Sequence, residues 1–248
     1  MNIGDAISLK AEPIFNVGGF QMTNTLLLSF LVVLIFLIVG FASRKKIKLL
    51  PGKFQVFFEW LVEGILDLME SVLGERSLAE KYFPLVSSIF FFVVVSNWLG
   101  LLPGLSSIGL REPGKPIIPF LRSPASDLNF TLALALVSVL GTNIIAVKSM
   151  GLKLHIKKFF NFKDPIKFFV GILELISEFA KVISFSFRLF GNVFAGEVLL
   201  IIVGALVPYL VPMPFMTMEF FVGFIQAFIF AMLTLVFIAT ATAMHEEH

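Results

Sequence analysis

The stretch Ser184–Glu197 reads SFSFRLFGNVFAGE. At its centre Arg188 stands among apolar neighbours. From Val182 to Met218 the only ionisable side chains besides Tyr209 are Arg188 and Glu197. The flanking runs read as membrane-spanning, which puts both charges at bilayer depth. An arginine there costs at least about 2.5–3.5 kcal/mol on insertion scales. A residue kept at that cost marks a place on an ion or proton path.

The rest of the chain agrees with a membrane setting. Of its 248 residues, 58% are hydrophobic, 31 are Phe, and 15% are charged. A soluble domain carries about 25% charged residues, so the fold class is an all-α integral membrane protein. A net charge of +2 with no long basic run gives no support for nucleic-acid binding. The absence of cysteine excludes disulfides, thiolate metal sites and cysteine nucleophiles. Asp5, Lys10 and Glu12 interrupt the first twenty residues, so no cleavable signal peptide is expected.

The whole chain, 1–248, reads as a single membrane domain. Residues 1–21 are mixed and fall outside the bilayer. Residues 25–43 form a first span, closed by Arg44, Lys45 and Lys46. Its basic end faces the cytoplasm by the positive-inside rule, leaving the N-terminus outside. From 54 to 73, Phe54, Phe57, Phe58, Leu61, Ile65, Leu68 and Val72 recur at helical spacing, with Glu59, Glu63, Asp67 and Glu70 on the other side. That pattern predicts an amphipathic helix on the cytoplasmic surface. Residues 83–103 form a second span and 104–126 an outer loop. Ser126 or Asp127 caps a third span over 127–147. Lys148, Lys153, Lys157, Lys158, Lys163 and Lys167 then mark a cytoplasmic loop over 148–164.

The last third predicts a hairpin of helices over 165–205 and 216–244, turning at Pro208, Pro212 and Pro214. A helix of about forty residues is roughly 60 Å long, twice the hydrocarbon thickness, so it must tilt or lie partly along the membrane. The expectation is five transmembrane helices plus one surface helix, without internal repeats. The C-terminus returns to the cytoplasm.

At about 100° per residue, Glu174, Glu178, Lys181, Ser184, Arg188 and Asn192 share one stripe. Glu197 faces nearly the opposite side, ~13 Å further along. On the returning helix Glu219, Gly223 and Gln226 share a face. Folding near Pro208 brings Glu197 level with Glu219, and Arg188 level with Gln226. Gly223, Ala227 and Ala231, with Gly191 and Ala195 opposite, form small-residue rows suited to close packing of the pair. Blander readings stand beside these. Glu174, Glu178 and Lys181 read equally well as a solvated network, and Ser184, Asn192 and Gln226 as interhelical hydrogen-bond links. Asn97 and Asn143 more often satisfy neighbouring backbone, and His155 sits among lysines as a solvated side chain. Two motif matches fail. Gly109–Lys115 fits G-x-x-x-x-G-K, but Pro116 replaces the Ser/Thr that holds magnesium. His245–His248 lacks metal-site spacing.

Ser184-Phe185-Ser186-Phe187-Arg188-Leu189-Phe190-Gly191-Asn192, with Ala195-Gly196-Glu197, resembles the signature of subunit a of F-type ATP synthase. So do Gln226-Ala227-Phe228-Ile229-Phe230 and Pro124-Ala125-Ser126-Asp127-Leu128-Asn129. The resemblance covers nearly the whole chain. It implies a non-catalytic stator subunit facing a ring of c subunits, with two offset half-channels that carry protons to and from ring carboxylates. Arg188 would be the essential arginine between them, Glu197 the acid of the outer half-channel, and Gln226 the glutamine supporting the arginine. Where some members carry histidine, this chain has Glu219, which keeps a proton-transferring group there. Asn192 and Ser184 match polar positions flanking the arginine, and Asp127 and Asn143 are candidates for the outer half-channel.

The implied partners are the c-ring, peripheral stalk subunit b, the rest of the synthase and membrane lipids, with no cofactor, nucleic acid or nucleotide. The implied location is a bacterial inner or plasma membrane, or a plastid membrane. The alternative is a self-contained secondary transporter or channel. It requires a pathway closed within one chain and usually a repeat, which this sequence lacks. A membrane-embedded hydrolase fits less well, since the spans hold no Ser/His pair or metal cluster.

Overall fold

The computed structural model describes residues 11–17, 20–44, 51–104, 108–110, 118–159, 165–207 and 210–243. Residues 1–10, Lys45, Lys46, Lys163, Pro208, the Gly109–Lys115 match beyond Leu110, and the C-terminal histidines lie outside them. Apolar runs set the helices: α1 Asn24–Arg44, α2 Lys53–Leu73, α3 Arg76–Gly100, α4 Leu128–Met150, α5 Leu152–Phe159, α6 Pro165–Leu206 and α7 Pro212–Ala243. Five of these, α1, α3, α4, α6 and α7, are long and apolar enough to cross a membrane. The all-α membrane architecture is therefore as the composition implies.

Small β elements decorate the helices. Strands β1 Pro13–Val17 and β2 Phe20–Thr23 pair antiparallel before α1, and β3 Gly109–Leu110 pairs with β4 Ile118–Pro119. Neither pair has a sequence run long enough to announce a strand. Helix α3 begins at Arg76, seven residues before the apolar run at 83, because Arg76, Glu80 and Lys81 keep its first turns in the polar zone. Within the expected 148–164 loop, Gly151 (φ 85°) ends α4 and a short basic helix, α5, follows. Helix α7 starts at Pro212 rather than 216. Proline fits a first helical turn, where no intrahelical donor is needed.

Lipid tails are as apolar as leucine, so association of these helices rests on packing and interhelical polar links. Helix α7 takes the centre, packed against α2, α3, α4 and α6. Ile89 and Val93 of α3, Phe185, Leu189 and Val193 of α6, and Ala227 and Phe230 of α7 form one core cluster. Polar links stitch it together. The Asn97 amide donates to the Gly223 carbonyl at 3.1 Å, and Trp98 Nε1 donates to the Phe220 carbonyl at 3.2 Å. Ser138 and Thr234 hydroxyls meet at 2.7 Å, Thr131 and Ser186 at 3.1 Å. Such links average about 0.6 kcal/mol within membranes, so the fold needs several.

The small-residue rows divide differently from the expected pairing. Gly223 faces Asn97 of α3, where a Cβ would come within 3.1 Å of the Asn97 Cβ. Ala231 packs with α2 and α3 residues. Gly191 and Ala195 are exposed, with nothing within 4 Å of an added Cβ at Gly191. The close approach in the hairpin comes instead at Gly196, directly against Glu219.

Helix α2 buries Leu66 and Met69 against α3 and α7, while Phe54, Phe57 and Trp60 stay exposed. Gly74, at φ 78°, closes it through a bond to the Glu70 carbonyl. Arg76 sits among three acids of α2 and one of its own helix, 2.6 Å from Glu63, 2.7 Å from Asp67, 3.3 Å from Glu70 and 3.6 Å from Glu80. Exposed pairs are individually weak, but one guanidinium here offsets four mutually repelling carboxylates. Arg76→Glu should therefore raise amide hydrogen exchange across 53–73 relative to α3. Unchanged exchange would mean that the Leu66/Met69 contact alone holds α2.

Candidate functional site: two polar cavities about a lone arginine

Arg188 projects from the middle of α6 on an exposed face, and its Nη2 donates to the Ser184 hydroxyl at 3.3 Å. Among the described residues no carboxylate pairs with it. Ser177, Ala180, Ser184, Gly191, Asn192 and Ala195 are exposed along the same side, so the guanidinium stands in a strip of small residues. Gln226, half-buried on α7, meets Arg188 at a narrow cleft floored by Phe185, Leu189 and Phe230. The level of Arg188 thus coincides with that of Gln226.

Towards the hairpin turn lies a cavity of 430 Å³ between α3, the segment before α4, α6 and α7. Glu197 and Glu219 both line it. Glu219 is buried, and its carboxyl lies where a side chain at Gly196 would be; only glycine leaves that space. Glu197 turns to Arg122, with Nε 2.9 Å from Oε1 and Nη2 3.1 Å from Oε2. Arg122 is a site residue that sequence reasoning missed. It lies 75 residues from Glu197 in a loop read as irregular, and no periodicity links the two. The available signal was a cation two residues before the Pro124 motif.

At the other end of α6 is a second cavity, of 270 Å³, lined by Asn143 of α4, His155 of α5, Glu174, Glu178 and Lys181 of α6, and Thr240 of α7. The Asn143 amide donates to Glu178 Oε2 at 3.0 Å and to the Val139 carbonyl at 2.9 Å. Lys181 Nζ lies 2.6 Å from Glu178 Oε1 and 4.4 Å above the Phe237 ring centroid.

The stripe read along α6 therefore splits. Its first part turns into a cavity walled by α4, α5 and α7, and its second, from Ser184, is uncovered. Asn143 was expected on the Glu197 side; it belongs to the opposite cavity, since sixteen residues of α4, ~24 Å, separate it from Asp127. Asp127 itself caps α4 by accepting from the Asn129 amide at 2.9 Å, and accepts from Thr25 Oγ1 at 3.3 Å. It is not among the residues walling the first cavity.

Along α6 the spacing is regular. Glu178 lies ~15 Å below Arg188, and Glu197 ~13 Å above it. Phe185 and Leu189 pack against α7 between the cavities. The arrangement can hold water and protonatable groups at two levels while keeping a permanent cation between them. Among the described residues no cluster of His, Cys, Asp or Glu is placed to hold a metal ion.

The Arg122 side chain is 8% exposed and that of Glu197 31%. Removing one partner of a fully buried ion pair costs about 3–5 kcal/mol, and the part-hydrated Glu197 brings the expected loss below that. Arg122→Ala should lower thermal stability in detergent more than Arg122→Ala combined with Glu197→Gln, which leaves no stranded carboxylate. Equal or greater loss in the double variant would contradict the pairing.

The family model described as ATP synthase A chain matches residues 25–239. An ATP synthase subunit a from Campylobacter concisus (strain 13826) is 37% identical over 222 residues, covering 88% of this chain and 89% of the relative. One from Campylobacter jejuni subsp. jejuni (strain 81-176) is 34% identical over 221 residues, with the same coverage. One from Geotalea daltonii is 35% identical over 213 residues, covering 85% of this chain and 83% of the relative. With a family match that takes in α6, most of α7 and the first cavity, and relatives aligned along most of their length, the chain belongs to the ATP synthase A chain family.

Proposed function

We propose that the chain is the proton-translocating stator subunit of a rotary F-type ATP synthase, supplying two half-channels to the c-ring with Arg188 as the essential arginine between them. The observation that carries this reading is an exposed guanidinium midway between two separate polar cavities. The cavity of Glu197 and Glu219 is the outer half-channel, and that of Glu174 and Glu178 the inner one. Neither the chain nor its cavities perform covalent catalysis.

The physics of the passage follows from charge. A ring carboxylate passing 4 Å from the guanidinium gains about 4 kcal/mol at an effective dielectric of 20. That corresponds to roughly three pKa units at 1.36 kcal/mol each. The carboxylate is thereby held ionised opposite Arg188 and takes up a proton only on moving away. Arginine keeps its charge at any working pH and offers a planar fork of donors, neither of which lysine guarantees. A proton moving directly from one cavity to the other would approach the same fixed charge, which opposes a leak. Glu219, set beside Gly196, and Glu197, held by Arg122, supply the proton-accepting groups of the outer side. Gln226 and Ser184 orient the arginine, and Asn192 flanks it.

The strip of small residues around Arg188 suits the ring, because small side chains let helices approach closely. The acidic face of α2 and the lysines at 148, 153 and 157 are the docking places for the peripheral stalk and anionic lipid heads. The positive-inside rule puts these lysines and the C-terminus in the cytoplasm and the N-terminus outside. The ion-binding carboxylate would lie on the ring, so the choice between H+ and Na+ is not made by this chain.

Arg188→Ala is expected to abolish ATP-driven proton pumping in inverted vesicles while the complex still assembles, and Arg188→Lys to fail as well. Pumping near the unmutated level in either variant would refute the role assigned to the guanidinium.

A further inference from the structure

Helix α5 has the sequence LKLHIKKF and a strongly two-sided character. Lys153, Ile156 and Lys157 are exposed, while His155 and Phe159, one turn apart, are half-buried with their rings edge to face at 5.2 Å. The imidazole therefore faces the protein, and there it lines the same cavity as Glu174, Glu178 and Lys181. Among the described residues, the charged groups facing it are those three, from α6. Helix α4 brings Lys148 only at its exposed last turn, and α7 brings Val236, Phe237 and Thr240, none of them ionisable.

Two of the other ionisable groups in this cavity, Glu178 and Lys181, pair with each other. Glu178 is already engaged by both Lys181 and Asn143. Lysine holds its proton too tightly near neutral pH to release it readily. An imidazole both accepts and donates a proton in that range. It sits on the helix that joins the cavity to the surface, flanked by lysines that keep that helix in water.

We propose that His155 is the proton-exchange residue of this cavity, passing protons between bulk water and the carboxylates of Glu174 and Glu178. In the outward step, the O–H proton of a carboxylic acid moves to the unprotonated imidazole nitrogen, leaving carboxylate and imidazolium. The imidazolium then returns a proton to water. Loading runs through the same bonds in reverse, with no net change in the histidine. The proposal rests on the half-channel reading above and deepens it.

The test uses the assembled complex in inverted vesicles, with His155→Gln and His155→Ala, measuring ATP-driven proton uptake on either side of about pH 6.5, the ordinary imidazole value. Both variants should assemble with the ring and pump several-fold more slowly above neutrality, where hydronium is scarce. External imidazole should restore the rate, a rescue that a purely structural residue would not show. Unchanged pumping across the pH range, a loss that imidazole leaves untouched, or failure of both variants to assemble would each overturn the proposal. Arg188→Ala in the same vesicles separates the two readings. Normal pumping there sinks the half-channels themselves, whereas loss of pumping there with silent His155 variants sinks only the exchange role.

Discussion

A guanidinium carried at mid-helix through a membrane must face something other than hydrocarbon, and α6 is arranged around that requirement. Among the described residues, Arg188 lies on a face that no other helix covers. The opposite face is packed on α7 through Phe185, Leu189 and Val193. Its most costly side chain is thus left at an exposed surface, which the proposed role assigns to a neutralising partner. Each end of α6 opens instead into a polar cavity closed by other elements: the Arg122 segment with α3 at one end, and α4 with α5 at the other.

Holding that geometry falls to contacts that lipid cannot replace. Hydrophobicity inserts the helices, but it does not choose their neighbours. The choice is made by Asn97 and Trp98 bonding to α7 backbone, by the Ser138–Thr234 and Thr131–Ser186 hydroxyl pairs, and by glycines where helices close up. Gly196 shows how the packing serves chemistry. Its missing side chain is the space that Glu219 occupies, so a buried carboxyl is held at the level of Glu197. Arg122 then draws Glu197 across the cavity, giving the two acids different surroundings within one chamber.

Much of this was legible in the sequence. Long apolar runs mark the spans, two of them ending in basic residues, and apolar residues at helical spacing opposite an acidic face mark α2. Counting back from the prolines brings Arg188 level with Gln226 and Glu197 level with Glu219, because helices of fixed rise leave little freedom once a turn is located. What stayed hidden depends on contacts distant in sequence. Arg122 reaches Glu197 from a loop without periodicity. Asn143 points to Glu178 because of how α4 crosses α6. The outward direction of Gly191 and Ala195 depends on which side of α6 the other helices occupy. Helix α5 is too short and too basic to stand out from a loop.

The proposed role of Arg188 requires that the two cavities on either side of it do not communicate, and labelling tests this. The chain has no cysteine, so single cysteines can be placed at Leu200 in the first cavity and at Ala146 or Thr240 in the second. A membrane-impermeant thiol reagent should react with the cysteine at 200 only from the outer face of sealed vesicles. It should reach the cysteines at 146 and 240 only from the face bearing the lysines. Labelling of either set from both faces would contradict the separation on which the role of Arg188 depends.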